Sequence, residues 1–163
     1  MTLTIHTLTA EDHAAVEALY TLSVKTNPEG FIQDLSFHGS IVEMATTFIQ
    51  NGGDMRVAKA ADGTLVGMGA LRPIDSTRTE LCKLHVHPRF QGFGYGKKLS
   101  HDLLEQAQNK SFKVVELHVT ETQKAAIGLY KKLGFQTVKT DTYQTEVYGQ
   151  LTTFPTVYME KPL

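Results

Sequence analysis

Three glycines on alternate positions, followed by two lysines, form the part of this sequence whose residue types point most directly to chemistry. The glycines are Gly92, Gly94 and Gly96, and the lysines are Lys97 and Lys98. Glycine lets several backbone N–H groups point at one place without Cβ clashes. A helix that starts here would add the unpaired donors and partial positive charge of its first turn. The segment therefore predicts a binding site for a phosphate or diphosphate group.

The residues on either side predict the elements that would position this turn. Apolar and branched residues recur through residues 79–86, which indicates a strand that Pro88 ends. After the turn, Leu99, Leu103 and Ala107 recur at helical spacing. The glycines thus connect the end of a strand to the start of a helix.

The spacing of the turn excludes two common phosphate-binding motifs. A Walker loop requires glycine where Gln91 stands and Ser or Thr where Lys98 stands. A dinucleotide-binding fingerprint requires its third glycine at Lys97. The pattern that fits is Gln-x-x-Gly-x-Gly, formed by Gln91, Gly94 and Gly96. A nucleotide-phosphate binder is therefore disfavoured, while a glycine-rich turn without a ligand stays an alternative.

This pattern resembles motif A of the GCN5-related N-acetyltransferases (GNAT), a family that binds acetyl-coenzyme A. The second signature of that family is Asn-x-x-Ala-x-x-Leu-Tyr followed by Gly-Phe. It is matched here by Ala126, Leu129, Tyr130, Gly134 and Phe135. Gln123 stands in place of the Asn. The resemblance covers essentially the whole chain in element order and is specific between residues 79 and 135.

The resemblance implies an acetyl-CoA site in two parts. In the first part, backbone N–H groups and one lysine would hold the diphosphate: Gln91, Gly92, Phe93, Gly94, Tyr95, Gly96 and Lys97. In the second part, the strand end at Leu84, His85 and Val86 would lie antiparallel to the pantetheine arm, because in this family a bulge splays that strand from the next one. Gln123 and Tyr130 are implied as further cofactor contacts.

The resemblance also implies two catalytic side chains. The Tyr130 hydroxyl would protonate the departing thiolate; the reference pKa of a phenol is about 10 and that of a thiol about 8.5. Glu80 would accept the proton of an amine, directly or through water. From periodicity alone, Tyr130 could instead complete the apolar stripe of its helix, and Glu80 could be a solvated or ion-paired carboxylate. The other candidate bases are His85, His87, Glu116 and His118.

The same histidines raise the question of a metal. His85 and His87 would share a strand face, and His118 could add a third imidazole. No acidic or cysteine ligand stands at a characteristic distance, so the sequence predicts no metal site. The single cysteine, Cys82, excludes an intrachain disulfide and is expected to be a small buried residue rather than a nucleophile.

Composition narrows the class of protein. The 163 residues predict one domain, residues 1–163, and 41% hydrophobic content is enough for a proper core. The 16 basic and 17 acidic residues nearly cancel, which argues against nucleic acid or a membrane as partner. The first residues predict no secretory signal, and no stretch approaches a membrane span. A cytoplasmic protein is expected.

The predicted elements run β-α-α-β-β-β-α-β-α-β-β. An early hairpin at Asp62 and Gly63, followed by strand–helix crossovers, predicts a mixed sheet with helices on both faces. The GNAT resemblance implies the same α+β three-layer fold, with a mostly antiparallel sheet of about seven strands. Polar segments at 27–38 and 142–152 are expected to border the acceptor, with the side chains of Glu29, Asp34, His38, Asp141 and Glu146.

Two hypotheses of function follow from the resemblance. The first is an N-acetyltransferase that moves an acetyl group from acetyl-CoA to the primary amine of a small molecule or peptide, by direct attack in a ternary complex. The second is a CoA-binding sensor or scaffold with the same fold and no turnover, which Gln123 leaves open. The resemblance also suggests a homodimer. The sequence does not specify the acceptor.

Overall fold

The computed structural model describes residues 2–26, 40–147 and 149–163. These ranges contain seven strands: β1 (Leu3–Thr7), β2 (Asp54–Ala60), β3 (Leu65–Pro73), β4 (Arg78–Val86), β5 (Val114–Thr120), β6 (Gln136–Val147) and β7 (Gln150–Pro162). They also contain four α-helices: α1 (His13–Thr26), α2 (Ile41–Gln50), α3 (Tyr95–Asn109) and α4 (Lys124–Lys132). No helix in these ranges has the length and apolar content to cross a membrane. The predicted acceptor segment at 27–38, with Glu29, Asp34 and His38, lies outside the described residues.

The strands form one sheet in the order β1-β2-β3-β4-β5-β7-β6. β4 and β5 run parallel, and the other described neighbours are antiparallel. The first face of the sheet packs against α1 and α2 through a cluster that includes Val16, Ala45 and Met68. The second face packs against the other two helices through a cluster that includes Leu103 and Leu133. The predicted three-layer fold with a mixed, mostly antiparallel sheet is confirmed.

Local signals read from the sequence explain where several elements begin and end. The Glu43 amide donates to Ser40 Oγ (3.1 Å), and the Ser40 amide donates to the Glu43 carboxylate (2.7 Å), which forms a capping box at the start of α2. Gly63 has φ +87°, and the Thr64 amide donates to Asp62 Oδ1 (3.0 Å) in the turn between β2 and β3. The predicted hairpin is therefore confirmed.

The segment at 142–152 is mostly a long hairpin, not the loop that the sequence analysis predicts. Pairing of β6 with β7 continues as far as Val147 and Gln150. Threonine is β-branched and favours a strand over a loop. The threonines in this segment are Thr142, Thr145 and Thr152. Asp141 and the backbone of Glu146 consequently lie on the edge strand β6 rather than in a loop.

A β-bulge interrupts β4 shortly before its end. Ala70 of β3 lies opposite Cys82, whereas Met68 lies opposite His85, so β4 holds one extra residue between these pairs. Lys83, inside the bulge, has φ +55°, a left-handed conformation that is uncommon for a residue with a side chain. The bulge turns the last part of β4 away from its earlier direction.

β4 and β5 pair at three positions, the last of which places Glu80 opposite Glu116. Beyond this position β4 stays paired with β3 as far as Val86, and β5 stays paired with β7 as far as Thr120. Each strand therefore keeps one unpaired edge that faces the other. We call this wedge-shaped opening between residues 81–86 and 117–120 the β4–β5 gap.

Candidate active site

The turn at residues 92–97 presents a run of unpaired backbone donors. Gly92 has φ +85° and Gly94 has φ +80°, conformations that glycine adopts without a Cβ penalty. The first amide of α3 that bonds a carbonyl is that of Lys98, which donates to Gly94 O (3.1 Å). Among the described residues, the amides from Gly92 to Lys97 have no acceptor. An anion bound at this turn would satisfy these donors.

Two contacts tie this turn to the end of β4. Gln91 Nε2 donates a hydrogen bond to Val86 O (3.0 Å). A Cβ built on Gly96 would lie 3.7 Å from Val86 Cγ2 and 4.0 Å from a methyl carbon of Leu129, which are ordinary van der Waals distances. Protein packing therefore does not require glycine at position 96. The missing side chain leaves room at the start of α3 for a ligand.

The aromatic residues of the turn occupy different environments. Tyr95 is buried against Ala60 and Val66 and anchors the start of α3. Phe93 is 68% exposed and stacks on Tyr95, with ring centroids 6.1 Å apart. Lys97 is exposed beside them. The turn therefore combines a fixed backbone with an exposed ring and an exposed cation.

Tyr130 lies on the second face of the sheet, in the same cluster as Leu81 of β4 and Leu117 of β5. Its side chain is 8% exposed, and its ring meets that of Phe135 edge to face at 5.8 Å. Burial, with a smaller contribution from Cys82, raises the pKa of Tyr130 to about 12. The phenol therefore stays protonated at neutral pH.

Glu80 lies on the opposite face of the sheet, at the narrow end of the β4–β5 gap. Its side chain is buried. Arg72 donates two hydrogen bonds to Oε2, one from Nε (2.9 Å) and one from the terminal nitrogen Nη2. The other oxygen, Oε1, lies 3.7 Å from His118 Nδ1, and the His118 side chain is 43% exposed. The structure thus brings together a fixed carboxylate and an accessible imidazole. The sequence analysis missed Arg72, since only the β3–β4 register places it opposite Glu80.

His85 faces the first side of the sheet and not an open ligand site. Its ring lies 5.7 Å from that of Tyr20 in α1. Burial, followed by the nearby Lys83 charge, lowers the pKa of His85 to about 3. The imidazole is therefore neutral at physiological pH. Its predicted contact with a cofactor rests on its backbone, which lies on the edge of β4 along with that of Leu84.

Two further residues named from the sequence have clear positions. Gln123 is the N-cap residue of α4, and its amide donates to Thr120 O at the end of β5 (2.9 Å). Burial raises the pKa of the Cys82 thiol to about 12, so its thiolate is scarce at neutral pH. Cys82 is therefore unsuited to act as a nucleophile. Within the described ranges, no group of three His, Cys, Asp or Glu side chains is arranged to hold a metal ion.

Comparison with known proteins supplies an independent line of evidence. The sequence profile of the Acetyltransferase (GNAT) family matches residues 8–135. The uncharacterized N-acetyltransferase YjgM of Escherichia coli is 36% identical over 78 residues, which cover 46% of this chain and 47% of that protein. N-acetylaspartate synthetase of Rattus norvegicus is 30% identical over 104 residues, covering 63% of this chain and 35% of that protein. The chain thus spans about half or less of the length of these curated relatives.

A solved structure matches the whole fold. It is a GNAT superfamily phosphinothricin acetyltransferase from Sinorhizobium meliloti, crystallised in complex with acetyl-CoA. The TM-score is 0.81 with 23% sequence identity, and the match covers 100% of this chain and 89% of the other. At this level of sequence identity, the structural similarity establishes that the two proteins share a fold.

Proposed function

Because the chain belongs to the GNAT acetyltransferase family, we propose that it transfers an acetyl group from acetyl-CoA to a primary amine, by direct attack in a ternary complex. The observation that carries this proposal is the run of unpaired amides from Gly92 to Lys97, set beside a gap between two strands. The gap has a proton donor, Tyr130, on one face and a proton acceptor, Glu80, on the other. A cofactor-binding scaffold without turnover would not need this pair.

The residues fit the donor substrate in two places. The amides of residues 92–97 and the Lys97 ammonium suit a diphosphate, because they supply several donors and positive charge at a helix start. The edge of β4 that faces the gap, at Leu84, His85 and Val86, would pair with the two amides of a pantetheine arm, as one strand pairs with another. A backbone N–H on this edge would also polarise the thioester carbonyl.

Tyr130 would act as the acid of the transfer. When the amine nitrogen bonds to the acetyl carbon, the C–S bond breaks and the sulfur needs a proton. Tyr130 holds that proton at neutral pH because burial raises its pKa to about 12. The thiol formed has an ordinary pKa of about 8.5, so the buried phenol is the weaker acid of the two and the proton transfer by itself is uphill. Tyr130 would contribute to the rate because its hydroxyl is held near the sulfur in a site that excludes water.

Glu80 and His118 together would take the proton that the attacking ammonium must lose. Arg72 occupies Oε2 of Glu80, which leaves Oε1, on the side of His118, as the oxygen that can accept. His118 is the more exposed of the two, so the proton reaches Glu80 through this imidazole or through water beside it. The acid and the base thus approach the reacting carbon from opposite faces of the sheet.

Two measurements on the full chain test this proposal. Calorimetry with acetyl-CoA, CoA and ATP should show binding of the first two and little or none of ATP. A free-thiol assay across a panel of primary amines should then show CoA release that depends on the amine. Binding without release for any amine would favour the sensor, and ATP binding without acetyl-CoA binding would refute both functions.

A further inference from the structure

The first face of the sheet carries a row of polar side chains beside the β4–β5 gap. His118 of β5 lies opposite Tyr158 of β7, which lies opposite Lys139 of β6. The His118 and Tyr158 rings are 5.8 Å apart, and Lys139 Nζ lies 4.6 Å from the Tyr158 ring centroid. This row leads from the proposed base, at the gap, to the edge of the sheet.

Three carboxylates near the gap, those of Glu80, Glu116 and Glu160, already have cationic partners. Arg72 holds Glu80. Arg78 bridges the other two, donating through Nε to Glu116 Oε2 (3.0 Å) and through Nη2 to Glu160. Two arginines therefore balance two of these three carboxylates, and the one negative charge that remains near the base suits an ammonium group.

The lysines of the same surface are in a different situation. Among the described residues, neither Lys83 nor Lys139 has a carboxylate within ion-pair distance. Each lies near an aromatic ring instead, with Lys83 Nζ 5.7 Å from the Tyr20 centroid. Asp141, a further charged group of this surface, accepts from the Thr142 amide (2.7 Å) and lies two residues farther along the edge strand than Lys139. Two lysines without an ion-pair partner among the described residues therefore flank the His118–Tyr158 pair.

The backbone at Lys83 supports a role for its side chain. A left-handed φ of +55° strains any residue with a Cβ, and glycine or asparagine would adopt it more readily. Bulges beside active sites commonly re-aim a side chain. This strained position nevertheless holds a lysine, and its long side chain lies on the face of the sheet that carries Glu80 and packs against Tyr20 of α1.

We propose that the acceptor is a primary amine that also carries a carboxylate, and that the positive charges of Lys83 and Lys139, one on each side, attract this carboxylate while the amine lies at His118 and Glu80. This inference rests on the proposed acetyl transfer and specifies its acceptor class. The two lysines stand on opposite sides of the base, on β4 and on β6. They select for the negative group without taking part in the chemistry.

The test compares amines that differ only in charge. A steady-state panel contains aspartate with asparagine, glutamate with glutamine, each amino acid with its α-amide, and putrescine as a dication. We expect kcat/KM for the carboxylate member to exceed that of its neutral partner at least about fivefold, the upper range for one exposed ion pair. Putrescine should be the poorest acceptor.

Variants assign the preference to the two lysines. K83M and K139M should each bring the ratio toward one, while acetyl-CoA affinity stays unchanged. K83E should favour putrescine. K132M, which removes an exposed lysine from α4, should keep the wild-type ratio.

Two results would overturn the inference: neutral or dicationic amines used as well as the carboxylates, or the wild-type ratio retained in both K83M and K139M. Acetylation with the opposite preference removes this inference alone. Failure to acetylate any amine, with acetyl-CoA bound, removes the proposed function as well.

Discussion

Glu80 and Glu116 lie opposite each other at the last position where β4 and β5 pair. The sheet opens immediately beyond them, so main-chain groups that would otherwise hydrogen-bond across the sheet become available to a ligand. Glu80 stands on the first face of this opening and Tyr130 on the second. The point at which the two strands part thus places Glu80 and Tyr130, the proposed base and acid, on opposite faces of the sheet.

Replacing Tyr130 by Phe should lower kcat by about 10²-fold, the low end of general acid catalysis, because the departing thiolate loses its proton donor. The phenol has no hydrogen-bond acceptor among the described residues, so its removal should leave the thermal midpoint close to that of the wild type. Steady-state kinetics from pH 6 to pH 10 provide the measurement. Turnover equal to the wild type across this range would show that Tyr130 is only a core residue.

The base is tested by the variants E80Q and H118Q. Each should reduce kcat/KM most strongly at low pH, where little free amine exists and a proton acceptor matters most, by about 10²-fold. H101Q, which changes an exposed histidine of α3, is the matched control and should match the wild type. If both E80Q and H118Q keep the wild-type pH profile, water alone removes the proton.

The variant G96A distinguishes an effect on protein stability from an effect on acetyl-CoA affinity. A Cβ at this position meets protein atoms only at ordinary distances, and alanine is the better helix former, so stability should rise by up to about 1 kcal/mol. A methyl group here would crowd a bound diphosphate, and acetyl-CoA affinity should fall about tenfold.

G128A is the control for this effect, because Gly128 is also helical and no described atom lies within 4 Å of its added Cβ. It should gain similar stability and keep full affinity. Calorimetry and thermal melting of both variants give the comparison. Equal affinity in G96A and G128A would place the ligand elsewhere.

His85 should make the protein sensitive to acid. Its pKa is about 3 in the folded chain, against an ordinary value of about 6.5, so between these values the unfolded chain binds a proton that the folded chain does not. Stability from this group is present above about pH 6.5 and is lost as the pH falls toward 3. At pH 4.5 the loss amounts to about 3 kcal/mol.

Denaturant unfolding at several pH values measures this slope. H85N should unfold with a shallower pH dependence than the wild type, even if it is less stable at every pH. H101Q, in which the altered side chain is exposed, should keep the wild-type slope. An unchanged slope in H85N would mean that the buried imidazole does not control the acid response.

Much of the architecture could be predicted from local sequence signals. The capping box of Ser40 and Glu43, the turn at Asp62 and Gly63, and the glycine pattern before α3 each act over a few residues, so they can be recognised without tertiary information. The order of strands and helices follows from such signals. The residues that would bind the diphosphate are predictable for the same reason, since they are consecutive.

The features that could not be predicted depend on contacts between distant segments. Arg72 meets Glu80 only because of the register between β3 and β4, and the bulge at Lys83 shifts that register by one residue. The length of the β6–β7 hairpin could not be predicted, because polar threonines also occur in loops. Only the pairing of the two strands with each other shows that this segment is a hairpin. Side chains such as His118 and Lys139 meet across strands that lie far apart in sequence.

The most direct measurement of the central claim is a crystal structure of the full chain with acetyl-CoA. The account predicts that diphosphate oxygens lie about 2.9 Å from amide nitrogens between Gly92 and Lys97, within ordinary hydrogen-bonding distance. The acetyl group should lie in the β4–β5 gap, between Tyr130 and Glu80. A bound cofactor that leaves these amides without a phosphate, or an acetyl group outside the gap, would contradict it.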